Sequence, residues 1–330
     1  MENPIGRRGM LLAGAGAALL ASRPRAEPMT AVTIALSSNS LAYGGLRIAQ
    51  QLGLFAKHGL DAKIIVMDSG NAATAALVAG SVQFCSSGPG EVLSARARGL
   101  DVVLVTNLYR GTSAPVLLAK SVAEKLSVGL KAPVNERLKA LDGLAIAVPS
   151  ATSALLLPVK SSCEEVGSKP RFVYMAQPAM LAALEAGAIA GFIASSPFWV
   201  PPIRSGKGVI WIDAPHGELP ERNAPTSVAG IEVLRSYAQA NPDLVSRLRS
   251  VFTDVGSVIS SQPDQALAAL VKAYPGIDPE TLKLAFSRDA VNWTQPKFTT
   301  ADLEKEKSLL ERSTDIPGVK TLNAADAVLS

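Results

Sequence analysis

Short apolar, β-branched runs alternate along the first half of the chain with amphipathic stretches, and small polar residues occupy nearly every joint. Val32-Thr33-Ile34-Ala35-Leu36 ends in Ser37-Ser38-Asn39-Ser40, which reads as strand, polar loop and helix start. The helix follows from about Tyr43 through Leu46, Ile48, Ala49 and Leu52 to Gly53, and a further turn over 54–58 stops at Gly59. The unit then repeats. A strand over 62–67 leads through Asp68-Ser69-Gly70-Asn71 into a helix ending at Ala79 and Gly80. A strand over 82–85 leads through Ser86-Ser87-Gly88-Pro89 into a helix over 90–98, and 101–106 is a further strand. Such alternation with short joints predicts right-handed β-α-β units on a parallel sheet.

From Pro115 the rhythm changes. An apolar strand over 115–119 precedes a polar, irregular stretch over 121–141, and a second series follows. It comprises strands over 144–148, 171–174, 189–194 and 209–213 and helices over 154–166 and 178–186, the latter opened by Pro178. A strand over 226–231 reads as a return to the first unit. Beyond it the pattern is helical, over about 233–240, 242–260, 264–273, 279–288 and 299–313, with proline at most of the joints. Ala76-Leu77-Val78-Ala79-Gly80-Ser81-Val82 parallels Ala183-Leu184-Glu185-Ala186-Gly187-Ala188-Ile189. Either any helix–glycine–strand joint looks this way, or the chain holds two similar lobes; the place of the pair in both series favours the second.

Length and composition agree with two folded lobes. The chain has 330 residues, 48% of them hydrophobic and 18% charged, enough apolar surface for a sizeable core. The net charge of +4 comes mostly from Arg7, Arg8, Arg23 and Arg25, so a basic surface for nucleic acid is not expected. Arg7-Arg8 followed by the apolar run 9–21 reads as an export signal of the twin-arginine type over residues 1–26, too short to span a bilayer. Cys85 and Cys163 are expected to be buried free thiols, and the two histidines, His58 and His216, lack a ligand partner at helical spacing, so neither metal nor cofactor is expected.

The run Ala49-Gln50-Gln51-Leu52-Gly53-Leu54-Phe55-Ala56-Lys57-His58-Gly59-Leu60-Asp61 resembles a signature of periplasmic solute-binding proteins of ABC transporters, in the nitrate, taurine and aliphatic-sulfonate group with its thiamine-pyrimidine-precursor-like members. The similarity continues over 75–84, 96–99 and 182–189 with Pro197, and covers about residues 31–315. It implies an α/β, type II periplasmic binding protein fold: two doubly wound lobes joined by two hinge strands near 112–119 and 225–231, with the C-terminal helices packed on lobe one. It divides the chain into lobe one (27–115 and 226–330) and lobe two (116–225). It further implies a monomer in the periplasm that closes on a small organic anion and delivers it to an ABC permease. A sensory binding protein for a membrane receptor is the alternative. An enzyme on the same fold is disfavoured, because the sequence holds no nucleophile with its base and lacks the Cys/His-rich segments of the fungal thiamine-pyrimidine synthases that share the fold.

In such sheets ligands lie beyond the strand carboxyl ends. The joints there carry Ser38, Asn39, Gly70, Asn71, Ser86, Ser87, Thr152, Ser153 and Ser196, and lead into helices whose first N–H groups are expected to be unsatisfied, a setting for a carboxylate, sulfonate or nitrate. Ordinary helix capping also accounts for these residue types. Ser87 and Asn71 are expected to face Thr152 and Ser196 across one anion. Tyr43, Tyr109 and Phe198-Trp199 add aromatic surface, which favours an organic ligand over bare nitrate. Arg110 reads as a solvated hinge residue or an anion partner, and Trp293 as a cover for the edge of lobe one.

Overall fold

The computed structural model describes residues 29–67, 69–151 and 153–329, so the expected export signal, Asp68 and Thr152 lie outside the described residues. The first series forms β1 (Thr30–Leu36), α1 (Gly44–Gln51), α2 (Leu54–Lys57), β2 (Leu60–Val66), α3 (Gly70–Val78), β3 (Phe84–Ser87), α4 (Pro89–Ala97) and β4 (Val102–Arg110). The second opens with β5 (Val116–Ala119), α5 (Lys120–Ala123), α6 (Val134–Lys139), β6 (Ala145–Val148) and α7 (Leu156–Glu165). It closes with β7 (Arg171–Tyr174), α8 (Gln177–Glu185), β8 (Gly191–Ile193), α9 (Val200–Arg204) and β9 (Gly208–Ile212). After β10 (Ser227–Leu234) come α10 (Arg235–Ala240), α11 (Pro242–Ser261), α12 (Pro263–Ala273), α13 (Pro279–Asp289) and α14 (Thr300–Ser313).

Both sheets have five strands and the same order: β2-β1-β3-β10-β4 in the first and β7-β6-β8-β5-β9 in the second. The expectation of purely parallel sheets is corrected. β10 runs antiparallel to β3 and β4, and β5 runs antiparallel to β8 and β9. The reason is the crossover: the chain leaves sheet one at Arg110 and enters sheet two at Val116, which pairs with Ile193 at the carboxyl end of β8. It returns at Ser227, which pairs with Arg110 at the carboxyl end of β4. A strand that enters at the carboxyl ends of its neighbours must run against them. Two of the strands expected at the hinge are thus sheet strands, and the links proper are 111–115 and 213–226.

The repeated helix–glycine–strand joint is real in both lobes. At the end of α3, Ser81 N–H donates to Ala76 (2.9 Å) and Gly80 N–H to Leu77 (3.0 Å), with Gly80 at φ 72°. At the end of α8, Ala188 N–H donates to Ala183 and Gly187 N–H to Leu184, both at 3.0 Å, with Gly187 at φ 69°. Each joint uses the left-handed glycine that ends a helix and turns the chain into the next strand.

The C-terminal helices lie on lobe one. α11 and α12 pack on α1, and Trp293 is buried with its ring against Gly44, where a Cβ would come 2.6 Å from Cζ2. α14 packs on α4 but also reaches α7 of lobe two, where Lys160 Nζ donates to the Ser313 carbonyl at 2.9 Å. Cys85 and Cys163 are buried and unbridged. No described helix is long and apolar enough to cross a membrane.

Glu306 and Asp289 are buried carboxyl groups outside the lining of the cavity described below. Glu306 on α14 accepts from the Thr226 N–H (2.6 Å) and hydroxyl (3.0 Å) beside the return link, and burial pushes it up to about 7. Asp289 at the end of α13 accepts from the Tyr109 hydroxyl (2.9 Å), and burial pushes it up to about 6.

Gly44→Ala is expected to cost about 1–3 kcal/mol, because the new methyl must displace the Trp293 ring; an unchanged melting temperature would contradict this packing. Glu306 and Asp289 bind protons more tightly folded than unfolded, so their contribution to stability is full below about pH 4 and is lost as pH rises to about 7. Glu306→Gln, which keeps the acceptor oxygen, is expected to raise the melting temperature near about pH 8 and to gain less near about pH 5. Equal effects at both pH values in a thermal melt would refute the shift.

Candidate functional site

A cavity of about 500 Å³ opens between the carboxyl ends of the two sheets. Lobe one lines it with the loop Ser37–Ser40, with Tyr43, with Val66 at the end of β2 and Met67 after it, and with Ser69 and Gly70 at the start of α3. Lobe two supplies Ser150 and Ser153 after β6, Tyr174 at the end of β7 and Met175 after it, Gln177 at the start of α8, and Ser195 and Phe198 after β8. Ser113 of the outgoing link contributes to the wall.

These linings are equivalent by topology. β2 pairs with β1 as β7 pairs with β6: Val66 lies opposite Leu36, and Tyr174 opposite Val148. The next residue is methionine in both lobes and makes the same bond, Met67 N–H to the Leu36 carbonyl (2.8 Å) and Met175 N–H to the Val148 carbonyl (3.1 Å). Val66 and Tyr174 are 47% and 56% exposed, far more than their size predicts for core residues, so the mouth has an apolar lip on each side.

The polar residues are mostly committed at one atom and free at another. Ser69 Oγ accepts from the Ala72 N–H (3.2 Å), Ser153 Oγ from the Leu155 N–H (3.2 Å), and Ser38 Oγ from the Ser40 N–H (3.3 Å). Ser69 thus caps α3, whereas Ser153 and Ser38 make local turn contacts and cap no helix, and each accepting hydroxyl keeps its own O–H to donate. Asn39 Oδ1 accepts from Arg47 (3.1 Å). Tyr43 bonds Ser37 through its hydroxyl, and burial raises its pKa. On lobe two, Gln177 Oε1 accepts from the Ser195 N–H (2.8 Å), and the Ser195 and Ser113 hydroxyls lie 2.8 Å apart.

Glu91, on the first turn of α4, also lines the cavity. Its Oε2 accepts from the Gly88 N–H (2.8 Å), and the carboxyl lies against Gly70, the first residue of α3, where a Cβ would come 2.5 Å from Oε1. A Cβ at position 70 would displace this carboxyl from its present place. Burial pushes this carboxyl up to about 7, the Gly88 contact pulls it down, and the neighbouring Glu232 raises it further. The expectation that the helix tips present unsatisfied N–H groups is thus corrected on lobe one. The tips of α3 and α4 are met by the protein's own Glu91 carboxyl and Ser69 hydroxyl.

Of the residues expected at the site, Ser38, Asn39, Tyr43, Gly70, Ser153 and Phe198 line the cavity. Five do not. Asn71, one residue along α3 from Gly70, is turned about 100° away and lines a separate cavity between α3 and α4 with Thr74 and Arg98. Ser86 and Ser87 are fully buried in β3; Ser86 Oγ accepts from the Ser37 N–H (3.3 Å) and so supports the loop from behind. Ser196 is buried, its Oγ accepting from Trp199 Nε1 (2.9 Å) and its carbonyl from the Leu41 N–H (2.8 Å). Tyr109 is fully buried against Trp293, its hydroxyl held by Asp289 and Asn292. Arg110 pairs with Asp302 at 2.7 Å. Sequence reasoning missed Glu91, Gln177 and the two methionines; the Met67/Met175 equivalence was readable only once the strands were paired.

Comparison with curated proteins finds no match. Among solved structures, the chain shares its fold with the periplasmic aliphatic sulphonate binding protein SsuA of Escherichia coli, at 16% identity and TM-score 0.68, covering 88% of this chain and 96% of that one. The alkanesulfonate-binding protein SsuA from Xanthomonas axonopodis pv. citri bound to MOPS aligns at 14% identity and TM-score 0.71, with 88% and 97% covered. The periplasmic nitrate-binding protein NrtA of Synechocystis PCC 6803 aligns at 12% identity and TM-score 0.67, with 86% and 80% covered. These likenesses bear out the periplasmic binding protein fold. The model of the NMT1-like family matches residues 25–272, most of the chain, and the protein belongs to that family.

Proposed function

We propose that this protein is an extracytoplasmic solute-binding protein that captures a small organic anion of the sulfonate or carboxylate kind between its lobes and delivers it to an ABC permease. One observation carries the reading: the cavity is built from equivalent strand ends of two sheets of the same order, so a ligand filling it touches both lobes at once. Contact with both faces is what couples binding to closure, because only a ligand that binds the closed arrangement better shifts the population towards it. Solved proteins of this fold bind sulfonates and nitrate by their names, which supports an anionic group. The place for that group is the lobe-two side, where the Ser150 and Ser153 hydroxyls and the tip of α8 at Gln177 face the cavity. The apolar lips favour a ligand with a hydrocarbon body. Export through the segment 1–26 and work as a monomer complete the proposal.

Calorimetric titration of the protein with a panel of small sulfonates and carboxylates is expected to give one-site binding by at least one member, with X-ray scattering showing a smaller radius of gyration at saturation. Met67→Ala and Met175→Ala are each expected to weaken that binding about 5- to 30-fold, as about 1–2 kcal/mol of apolar contact is lost. Sustained heat from turnover, or no binding across the panel, would refute the reading.

A further inference from the structure

No lysine, arginine or histidine lines the cavity among the described residues, so an anion held there must find its positive counter-charge one residue further back. The loop Ser37–Ser40 leads to it. Most polar groups of this loop are pinned by the protein itself. The Ser37 N–H donates to Ser86 Oγ (3.3 Å), the Ser37 hydroxyl is bonded to Tyr43, the Ser40 N–H donates to Ser38 Oγ (3.3 Å), and the Ser40 carbonyl accepts from the Tyr274 hydroxyl (3.2 Å). Asn39 is the exposed residue of the loop, and it lines the cavity. Its amide has a fixed sense: Arg47 Nη2 can only donate, so the amide atom 3.1 Å from it is the acceptor Oδ1, and Nδ2 is left with its donors. Nδ2 donates to no group among the described residues.

Arg47 is an unusual cation. It is half-buried on the first turn of α1, the end of a helix at which a positive charge is disfavoured. Nη1 donates to Gln50 Oε1 (3.3 Å) and Nη2 to Asn39, whereas Nε is buried without a partner, and no carboxylate pairs with the guanidinium among the described residues. Burial pushes the nearby Tyr274 hydroxyl up to about 12, and the Arg47 charge pulls it back. A half-buried cation without a counter-ion costs stability. The cavity-lining residue that it bonds is Asn39.

We propose that Arg47 is a positioning residue of this cleft: it holds the Asn39 amide with Nδ2 towards the cavity and, through that amide, supplies the positive charge that a ligand's acidic group requires. This deepens the proposed capture of an organic anion and rests on it. Asn39 then donates from lobe one to the same acidic group that Ser150 and Ser153 meet from lobe two, so the anion itself bridges the lobes. An amide whose oxygen is bonded to a guanidinium is polarised, and its N–H groups become stronger donors. The wall gains charge complementarity without a cation of its own, which avoids the cost of stripping water from an ion pair.

The test is calorimetric titration of the full chain with butanesulfonate and pentanoate, alongside thermal melts. Arg47→Met, which keeps an apolar stem, and Asn39→Ala are each expected to weaken binding about tenfold. The double variant is expected to bind within about threefold of Asn39→Ala, because both changes act on one donor. Arg47→Lys restores the charge and is expected to bind within about threefold of the unaltered protein. Asn39→Asp keeps an acceptor for Arg47 but replaces the donor with a carboxylate oxygen; it is expected to melt no lower than the unaltered protein and to bind at least about thirtyfold more weakly. Undiminished binding by Arg47→Met or by Asn39→Asp would overturn the role of Arg47 while leaving anion capture standing. Losses that add in the double variant, or that Arg47→Lys fails to recover, would make the effect one of loop structure and overturn it as well. Binding of neither probe by the unaltered protein would remove both the anion reading and this one.

Discussion

Everything at this site depends on one antiparallel strand in each sheet. β5 enters sheet two, and β10 enters sheet one, at the carboxyl ends of the strands they join. Had either strand run parallel to its neighbours, its link would have had to travel to the far edge of the sheet first. Because both enter at the near edge, the two links, 111–115 and 213–226, lie where the strand ends of one sheet face those of the other. The cavity, the apolar lips and the polar loops follow from that single constraint, since every β-to-helix joint of both lobes is delivered to the same space.

Within that space the polar chemistry is divided. On lobe one the half-buried Glu91 carboxyl takes up the N-terminal end of α4 and lies against that of α3, where Gly70 leaves it room. On lobe two the corresponding position at the start of α8 holds Gln177, whose amide oxygen turns inward to Ser195 and leaves the helix tip facing the cavity. Two lobes of one topology therefore present different groups to the same guest at equivalent helix starts. The C-terminal helices fix lobe one as a platform: Trp293 fills the space above Gly44, and the Tyr109–Asp289 contact ties the last residues of β4 to α13.

Much of the element plan was legible in the sequence, because strand runs, left-handed glycines and helix-opening prolines are local signals. The strand Arg171–Tyr174 and the helices from α10 to α14 lie within a few residues of where the pattern places them. The mixed sheets were not legible, since the direction of β5 and β10 depends on partners more than seventy residues away in the chain. For the site, the loop after β1 and the start of α3 were readable as strand-end joints. Asn71 and Tyr109 were misplaced because a sequence gives the position of a residue on its element but not which wall that face meets. Glu91 was passed over for a physical reason: a glutamate on the first turn of a helix is what ordinary capping requires, and nothing local distinguishes one that also lines a cavity.

The most direct measurement is a crystal structure of the protein with a bound member of the sulfonate and carboxylate series. The account predicts ligand density between the loop Ser37–Ser40 and the segment Ser150–Ser153, in contact with both lobes. Density confined to one lobe, or seated in the separate cavity between α3 and α4 beside Asn71 and Arg98, would contradict it.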